Sequence, residues 1–323
     1  MKLPKTYGYL KRDLDFIETS LHQTIQAEHP VLRNASTELL DAGGKRIRPV
    51  FVLLSGQLGE FDLEKIKKVA VSLELIHMAT LVHDDVIDEA ELRRGKPTIK
   101  KRYGNRVAMY TGDYILARAL EEISTLRNSN VHRILSKTIV EVCIGEIEQM
   151  KDKFNWDQNL RNYLRRIKRK TALLIATSCQ LGAVVGGLSE KEAKKMYQYG
   201  YYIGMSYQII DDILDFTSSS KELGKPAGND LLQGNITLPV LYAMENRSFF
   251  LLLEKTFKNP ETIKKEEMNE IIKALHHTGA IEKSYQLSNH YLQKALSTLE
   301  SLPNKRAKKT LEDIAKFIGK RRT

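Results

Sequence analysis

The chain has 323 residues, a formal net charge of +11 and 42% hydrophobic residues, enough to bury one large core. No Gly/Ser/Pro-rich linker or shift in composition divides it, so a single domain over 1–323 is expected. Two cysteines exclude a disulfide-stapled fold, and neither the start, Met1-Lys2-Leu3-Pro4-Lys5, nor the polar-interrupted run 171–188 reads as a signal or a membrane span, which points to a cytoplasmic protein.

Apolar residues recur at helical spacing over 7–27, 31–42, 46–58 and 63–86. Within the last of these, Leu63, Ile66, Val69, Ala70, Leu73 and Ile76 lead into an acidic cluster. The same spacing predicts helices over 105–127, 129–151, 158–187 and 190–217. Four more follow at 236–256, 260–277, 279–300 and 304–320. Cys143 and Cys179 fall inside apolar helical patterns and are expected to be reduced core residues. No run sustains period-two alternation between turn signals, and most prolines lie between periodic segments or in a first helical turn. The expected fold is an all-α bundle of about ten to thirteen helices.

The basic stretches Lys305-Arg306-Ala-Lys308-Lys309 and Lys320-Arg321-Arg322 are expected to form a solvated helix face. A basic balance suits acidic substrates, with weak contact to an anionic membrane surface as a second use. Nucleic acid is disfavoured, because no aromatic-interleaved RNA motif and no zinc spacing is present.

Two clusters of one design, Asp84-Asp85-x-x-Asp88 and Asp211-Asp212-x-x-Asp215, stand 127 positions apart. On a helix, i and i+4 place the first and last carboxylates one turn apart on one face. Such a face repels itself unless cations are supplied, and Mg²⁺ takes carboxylate oxygens while bringing substrate phosphates with it. Asp84, Asp85, Asp88 and Glu89 also crowd a helix C-terminus, where the macrodipole is already negative. Gln208, Asp211, Asp212 and Asp215 form one stripe at i, i+3, i+4 and i+7. Cations complete the pattern in Gly43-Gly44-Lys45-Arg46-Ile47-Arg48-Pro49, Arg93-Arg94-Gly95-Lys96 and Gly224-Lys225-Pro226. Guanidinium forks and a lysine point charge suit a diphosphate. No Walker A and no GxGxxG after a strand is present, so nucleotide binding is disfavoured.

These motifs, with Lys170-Thr171 between the clusters, occur in the order seen in trans-prenyl diphosphate synthases, and the chain resembles that family from about residue 20 onward. Within it, the stretch 224–239 looks most like heptaprenyl diphosphate synthase component II, the catalytic subunit of two-protein bacterial enzymes that serve menaquinone side-chain synthesis. The resemblance implies an isoprenoid synthase-like bundle around a central active-site cavity. It implies condensation of isopentenyl diphosphate with an allylic diphosphate, farnesyl diphosphate as the expected starter. Asp84, Asp85 and Asp88 would hold two Mg²⁺ ions on the allylic diphosphate, and Asp211, helped by Asp212 and Asp215, a third. Arg93, Lys170 and Lys225 would neutralise the leaving group; Lys45, Arg48, His77 and Arg94 would bind the other diphosphate; Thr171 and Gln208 would orient or stabilise the allylic cation. His77 lies two turns before Asp84, on the same face. Expected protein partners are a small component I subunit or a second copy of the chain, and the apolar faces of the helices at 105–127 and 129–151 are read as either interface or core, which periodicity does not separate.

The growing apolar product would lie along the helix ending at Asp88. Position 79 is roughly 7.5 Å back from Asp84, where short-chain members of the family carry an aromatic residue at or next to this position. Ala79 and Thr80 leave that path open here, and Leu75 and Ile76 are the next obstructions, so a long product of C30 to C40 is expected, with C35 favoured by the resemblance. Asn235 stands where homomeric relatives commonly carry lysine. A terpene cyclase is the rival enzyme, but its usual second motif, N/D-D-x-x-S/T-x-x-x-E, is replaced by Asp211-Asp212-Ile-Leu-Asp215. A non-catalytic regulatory subunit predicts degraded aspartates, and all six are present.

Overall fold

The helical periodicity becomes helices almost throughout the computed structural model, which describes residues 5–218 and 227–321. After a 3-10 turn at Lys5–Leu10 come α1 (Lys11–Thr24), α2 (Pro30–Asp41), α3 (Ile47–Gly56) and α4 (Leu63–Ile87). A two-stranded antiparallel hairpin, β1 (Leu92–Arg93) and β2 (Lys96–Pro97), precedes α5 (Ile99–Tyr103), α6 (Asn105–Ser124) and α7 (Ser129–Lys151). Then follow α8 (Leu160–Ile167), a π-helical turn at Lys168–Ala172, α9 (Leu173–Val185) and α10 (Glu190–Thr217). The remainder is α11 (Asn229–Leu232), α12 (Leu238–Ala243), α13 (Arg247–Thr256), a 3-10 turn at Pro260–Thr262, α14 (Lys265–His277), α15 (Ala280–Leu299) and α16 (Arg306–Gly319). The helix expected over 236–256 is broken because Asn246 caps a new one: its side chain accepts from the Ser248 and Phe249 amides at 3.0 and 3.2 Å. The sequence reading missed the hairpin and α5. Among the described residues no helix is long and apolar enough to cross a membrane.

The chain divides into two compact units. The first comprises Met1–Thr138, Leu174–Gly200 and Thr298–Ile314. Its axis is α4, capped by the Asp62 carboxylate, which accepts from the Glu64 and Lys65 amides at 3.1 and 3.2 Å. Buried side chains occur on every side of α4, so it packs as a core helix rather than an amphipathic one, most extensively against α6. Glycines let α3 and α9 meet: a Cβ on Gly182 would fall 2.4 Å from the Val52 carbonyl oxygen. Tyr199, fully buried, presents its ring edge-on to Phe51 and donates its hydroxyl to the Leu311 carbonyl at 2.8 Å.

The second unit comprises Ile139–Leu173, Tyr201–Ser297 and Ala315–Thr323. Its core gathers Phe216, Leu231, Ile236, Val240, Phe249, Leu253, Ile271 and Leu275. Arg166, buried, donates to the Gln158 side chain at 2.6 Å and to the Ile236 carbonyl, which fixes two loops to α8. Along α7, Val140 (57% exposed), Ile144, Ile147 (55%) and Met150 form an outward apolar stripe. Cys143 is exposed beside it, which corrects the expectation of a core thiol, while Cys179 is buried as expected. The helical period alone does not say whether a stripe faces a core or leaves the subunit.

Gly182→Ala is expected to destabilise the chain by about 1–3 kcal/mol in chemical denaturation, because a backbone carbonyl cannot yield to the added methyl. Gly8→Ala, where nothing lies within 4 Å, should be near neutral.

Candidate functional site

In the first unit, α4 delivers the first acidic cluster at its C-terminus. Asp88 is the C-cap, its amide donating to the Asp84 carbonyl at 2.8 Å. The chain then turns through Glu89 (φ 51°) into the hairpin, whose two-residue tip, Arg94 (φ 55°) and Gly95 (φ 77°), has the paired positive φ of a type I′ turn. That turn sends Arg93 back along α4: its Nε lies 2.9 and 3.0 Å from the two Asp85 oxygens, and Nη2 2.8 Å from Oδ1. Asp85 is buried and taken up by this fork, so of the three aspartates Asp84 and Asp88 are those presented at the half-exposed surface. Arg93 is correspondingly an Asp85 partner in this state. His83 turns aside to Asp113, 3.2 Å away.

The basic loop between α2 and α3 lies in the same unit. Gly43 (φ 79°) and Arg46 (φ 44°) both adopt left-handed backbone, which sets the tight turn before α3. Lys45 is exposed and Arg48 half-buried. Burial, and then the guanidinium groups of Arg48, Arg94, Arg93 and Arg46, hold the His77 imidazole well below its ordinary pKa. His77 is therefore neutral within a cationic cluster. Burial and the neighbouring Arg46 and Arg93 also lower the Arg94 pKa. Leu75, Ile76 and Ala79 are buried along α4, and the Thr80 hydroxyl donates to the His77 carbonyl at 2.8 Å.

In the second unit the stripe expected on α10 is connected by hydrogen bonds. Thr171, placed by the π-helical turn, donates its hydroxyl to the side-chain Oε1 of Gln208 at 2.5 Å. Gln208 Nε2 donates to Asp212 Oδ1 at 2.8 Å, and the buried Tyr163 hydroxyl donates to Asp212 Oδ2 at 2.7 Å. Burial, followed by the Asp230 carboxylate, pushes the Asp212 pKa up to about 7. Asp215 is buried too, and its Oδ2 accepts the Asp230 amide at 3.2 Å. Asp211 is the more open carboxylate, paired with Arg321 Nη1 at 2.9 Å. Lys170 Nζ donates to Gln149 Oε1 at 2.9 Å. Gly224, Lys225 and Pro226 lie outside the described residues.

Several of these partners were not read from the sequence. Arg321 was assigned to a solvated basic face; its side chain is only 13% exposed and lies over the Tyr207 ring. Arg306 likewise stacks on Tyr9, 3.8 Å from the ring centroid, and Lys305 donates to the Gly59 carbonyl at 2.8 Å. Tyr163 carries no sequence signal, being one tyrosine in an ordinary amphipathic helix. Glu74 does carry one: a lone carboxylate inside the apolar run of α4, three residues before His77.

Among the described residues no three His, Cys, Asp or Glu side chains converge into a metal cage. The donor set is nonetheless that of a hard cation bound through one or two carboxylates with substrate phosphates completing the shell, the usual manner of Mg²⁺. Within the first unit Asp84 and Asp88 are open enough to fit that role, and within the second unit Asp211 is.

Comparison with known proteins gives the family. Residues 29–275 match the polyprenyl synthetase family. The chain is 61% identical to heptaprenyl diphosphate synthase component 2 of Bacillus subtilis (strain 168), covering 100% of this chain and 92% of that one. It is 57% identical to the protein of the same description from Geobacillus stearothermophilus, covering 99% of each. The crystal structure of heptaprenyl diphosphate synthase from Staphylococcus aureus shares 44% identity, with a TM-score of 0.91 and full coverage of both chains. A polyprenyl synthase from Caulobacter crescentus CB15, complexed with calcium and isoprenyl diphosphate, shares 28% identity at a TM-score of 0.92 over 99% of this chain and 98% of that one. The chain is an all-α member of the polyprenyl synthetase family.

Proposed function

We propose that this chain catalyses the Mg²⁺-dependent condensation of isopentenyl diphosphate with an allylic diphosphate, extending it to a long all-trans product. The observation that carries this reading is the cationic cluster of Arg46, Arg48, Arg93 and Arg94 around a neutral His77, in the same unit as Asp84 and Asp88. A cyclase handles one diphosphate and has no use for a second cationic site. Asp84 and Asp88 in the first unit and Asp211 in the second would hold the Mg²⁺ ions, about three in number, and bound Mg²⁺ would supply Lewis-acid stabilisation of a departing diphosphate. Arg93, Lys170 and Lys225 add positive charge to the leaving group, and Lys45, Arg48, His77 and Arg94 seat isopentenyl diphosphate. Thr171, hydrogen-bonded to Gln208, and Gln208 itself would orient or stabilise the allylic cation. The alkene attacks that cation, and the proton then lost goes to the departing diphosphate. No protein nucleophile is required.

The heptaprenyl relatives support a C35 product made for menaquinone side chains. The buried small residue Ala79 on α4 supports a path long enough for it. The name component 2, carried by two relatives, supports a small partner subunit, and the exposed stripe on α7 supports burial against a second polypeptide, whether that subunit or another copy of this chain. The direct test is to incubate the purified chain with Mg²⁺, farnesyl diphosphate and labelled isopentenyl diphosphate, with and without such a subunit, and to size the extracted lipid. A product of about C30 to C40 is expected, from the chain alone or only with its subunit; a cyclised hydrocarbon would overturn the reading.

Ala79→Phe should shorten the product to about C15 to C20 by blocking the path roughly 7.5 Å beyond Asp84; an unchanged product profile would reject this placement. A second expectation concerns the metal-free chain. Asp212 has a folded pKa of about 7 against an ordinary 3.8, so between these values the folded form holds a proton the unfolded form has released. Stability therefore falls as pH rises through that window and stays lower above it. Asp212→Asn, which cannot ionise, should melt above the parent at pH 8 in chelator, the gap closing as pH falls toward about 4.

A further inference from the structure

We propose that Arg46 is a positioning residue, clamped by Glu18 and Glu74 so that the loop bearing Lys45 and Arg48 keeps the geometry that binds isopentenyl diphosphate. The inference rests on the reading of that loop given above. Three cations in Lys45-Arg46-Ile-Arg48 invite assignment of all three to the ligand. The guanidinium of Arg46 is already committed elsewhere. Its Nε and Nη2 each lie 2.7 Å from a Glu18 oxygen, Nη1 lies 3.4 Å from Glu74 Oε1, and Nη2 also donates to the Leu40 carbonyl at 3.2 Å. Four of the five guanidinium N–H groups are thereby used.

Two independent features show that this clamp is built rather than incidental. Arg46 adopts φ 44° and ψ 38°, a left-handed conformation disfavoured for a residue with a long side chain, at the step where α3 begins. Glu74 is 4% exposed inside an apolar helix, and its Oε2 makes no hydrogen bond. A carboxylate so placed is costly unless cations surround it. Here they do: its charge acts on Arg94 as well as on Arg46. One guanidinium thus joins α1, α4 and the start of α3 beside Lys45 and Arg48. The crowding also explains Gly44, where a Cβ would fall 2.9 Å from Arg46 Nη1 and 3.0 Å from Arg94 Nη1.

The sign of one substitution separates positioning from plain electrostatics. Glu18 is negative, so removing its charge near an anion site should tighten isopentenyl diphosphate binding if only charge matters. If Glu18 acts by holding Arg46, binding weakens instead. The test is titration calorimetry of isopentenyl diphosphate, and separately of farnesyl diphosphate with Mg²⁺, on the full chain. Glu18→Gln should weaken isopentenyl diphosphate about tenfold and leave farnesyl diphosphate within about twofold. Tighter or unchanged isopentenyl diphosphate binding overturns the proposal, as does equal weakening of both ligands. Arg46→Lys, which keeps the charge and loses the fork, should reproduce the selective loss and carries the test if Glu18→Gln fails to fold; unchanged binding there also overturns it. Lys45→Ala and Arg48→Ala serve as controls: if neither weakens isopentenyl diphosphate, the underlying reading of the loop has failed, whatever Glu18→Gln does.

Discussion

Concentrated charge of a single sign, set in a largely apolar helical framework, is the constraint on which the rest of this structure depends. Carboxylates one turn apart at a helix C-terminus repel one another and meet the negative end of the macrodipole. Guanidinium groups around a neutral imidazole repel in the same way. Each unit relieves part of this internally. Arg93 takes Asp85, Glu18 and Glu74 take Arg46, Arg321 takes Asp211, and burial raises the Asp212 pKa to about 7. On the proposed function a metal–diphosphate pair would supply ions of both signs to the carboxylates and guanidinium groups gathered in the first unit.

The internal pairs divide residues that a motif places on an equal footing. Asp85 and Asp212 belong to their D-D-x-x-D patterns, yet both are buried and hydrogen-bonded, one by an arginine fork and the other by Tyr163 and Gln208. Arg46 stands between Lys45 and Arg48 in sequence but faces Glu18. Spacing along a helix identifies which side chains share a face. Which member of the set meets the ligand depends on partners brought from distant sequence.

Legibility followed the same line. The helices at 129–151 and 190–217 match their expected bounds, because long, strongly periodic segments leave little ambiguity. The expected 158–187 helix carries a π-helical turn at Lys168–Ala172, which has no periodic signature and yet sets Thr171 against Gln208. Cys143 and Arg321 were misplaced for one reason: periodicity gives a face, and the fate of that face is a tertiary fact. Glu74 was legible in principle, since a single carboxylate within an apolar run has to find cations or lose its charge.

The most direct test of this charge account is the thermal unfolding of the chain in chelator, with Mg²⁺, with inorganic diphosphate, and with both. A ligand that binds the folded state raises the melting temperature by mass action. If the clusters await a metal–diphosphate pair, the two together raise it by more than the sum of their separate shifts. A combined shift equal to or below that sum would contradict the account.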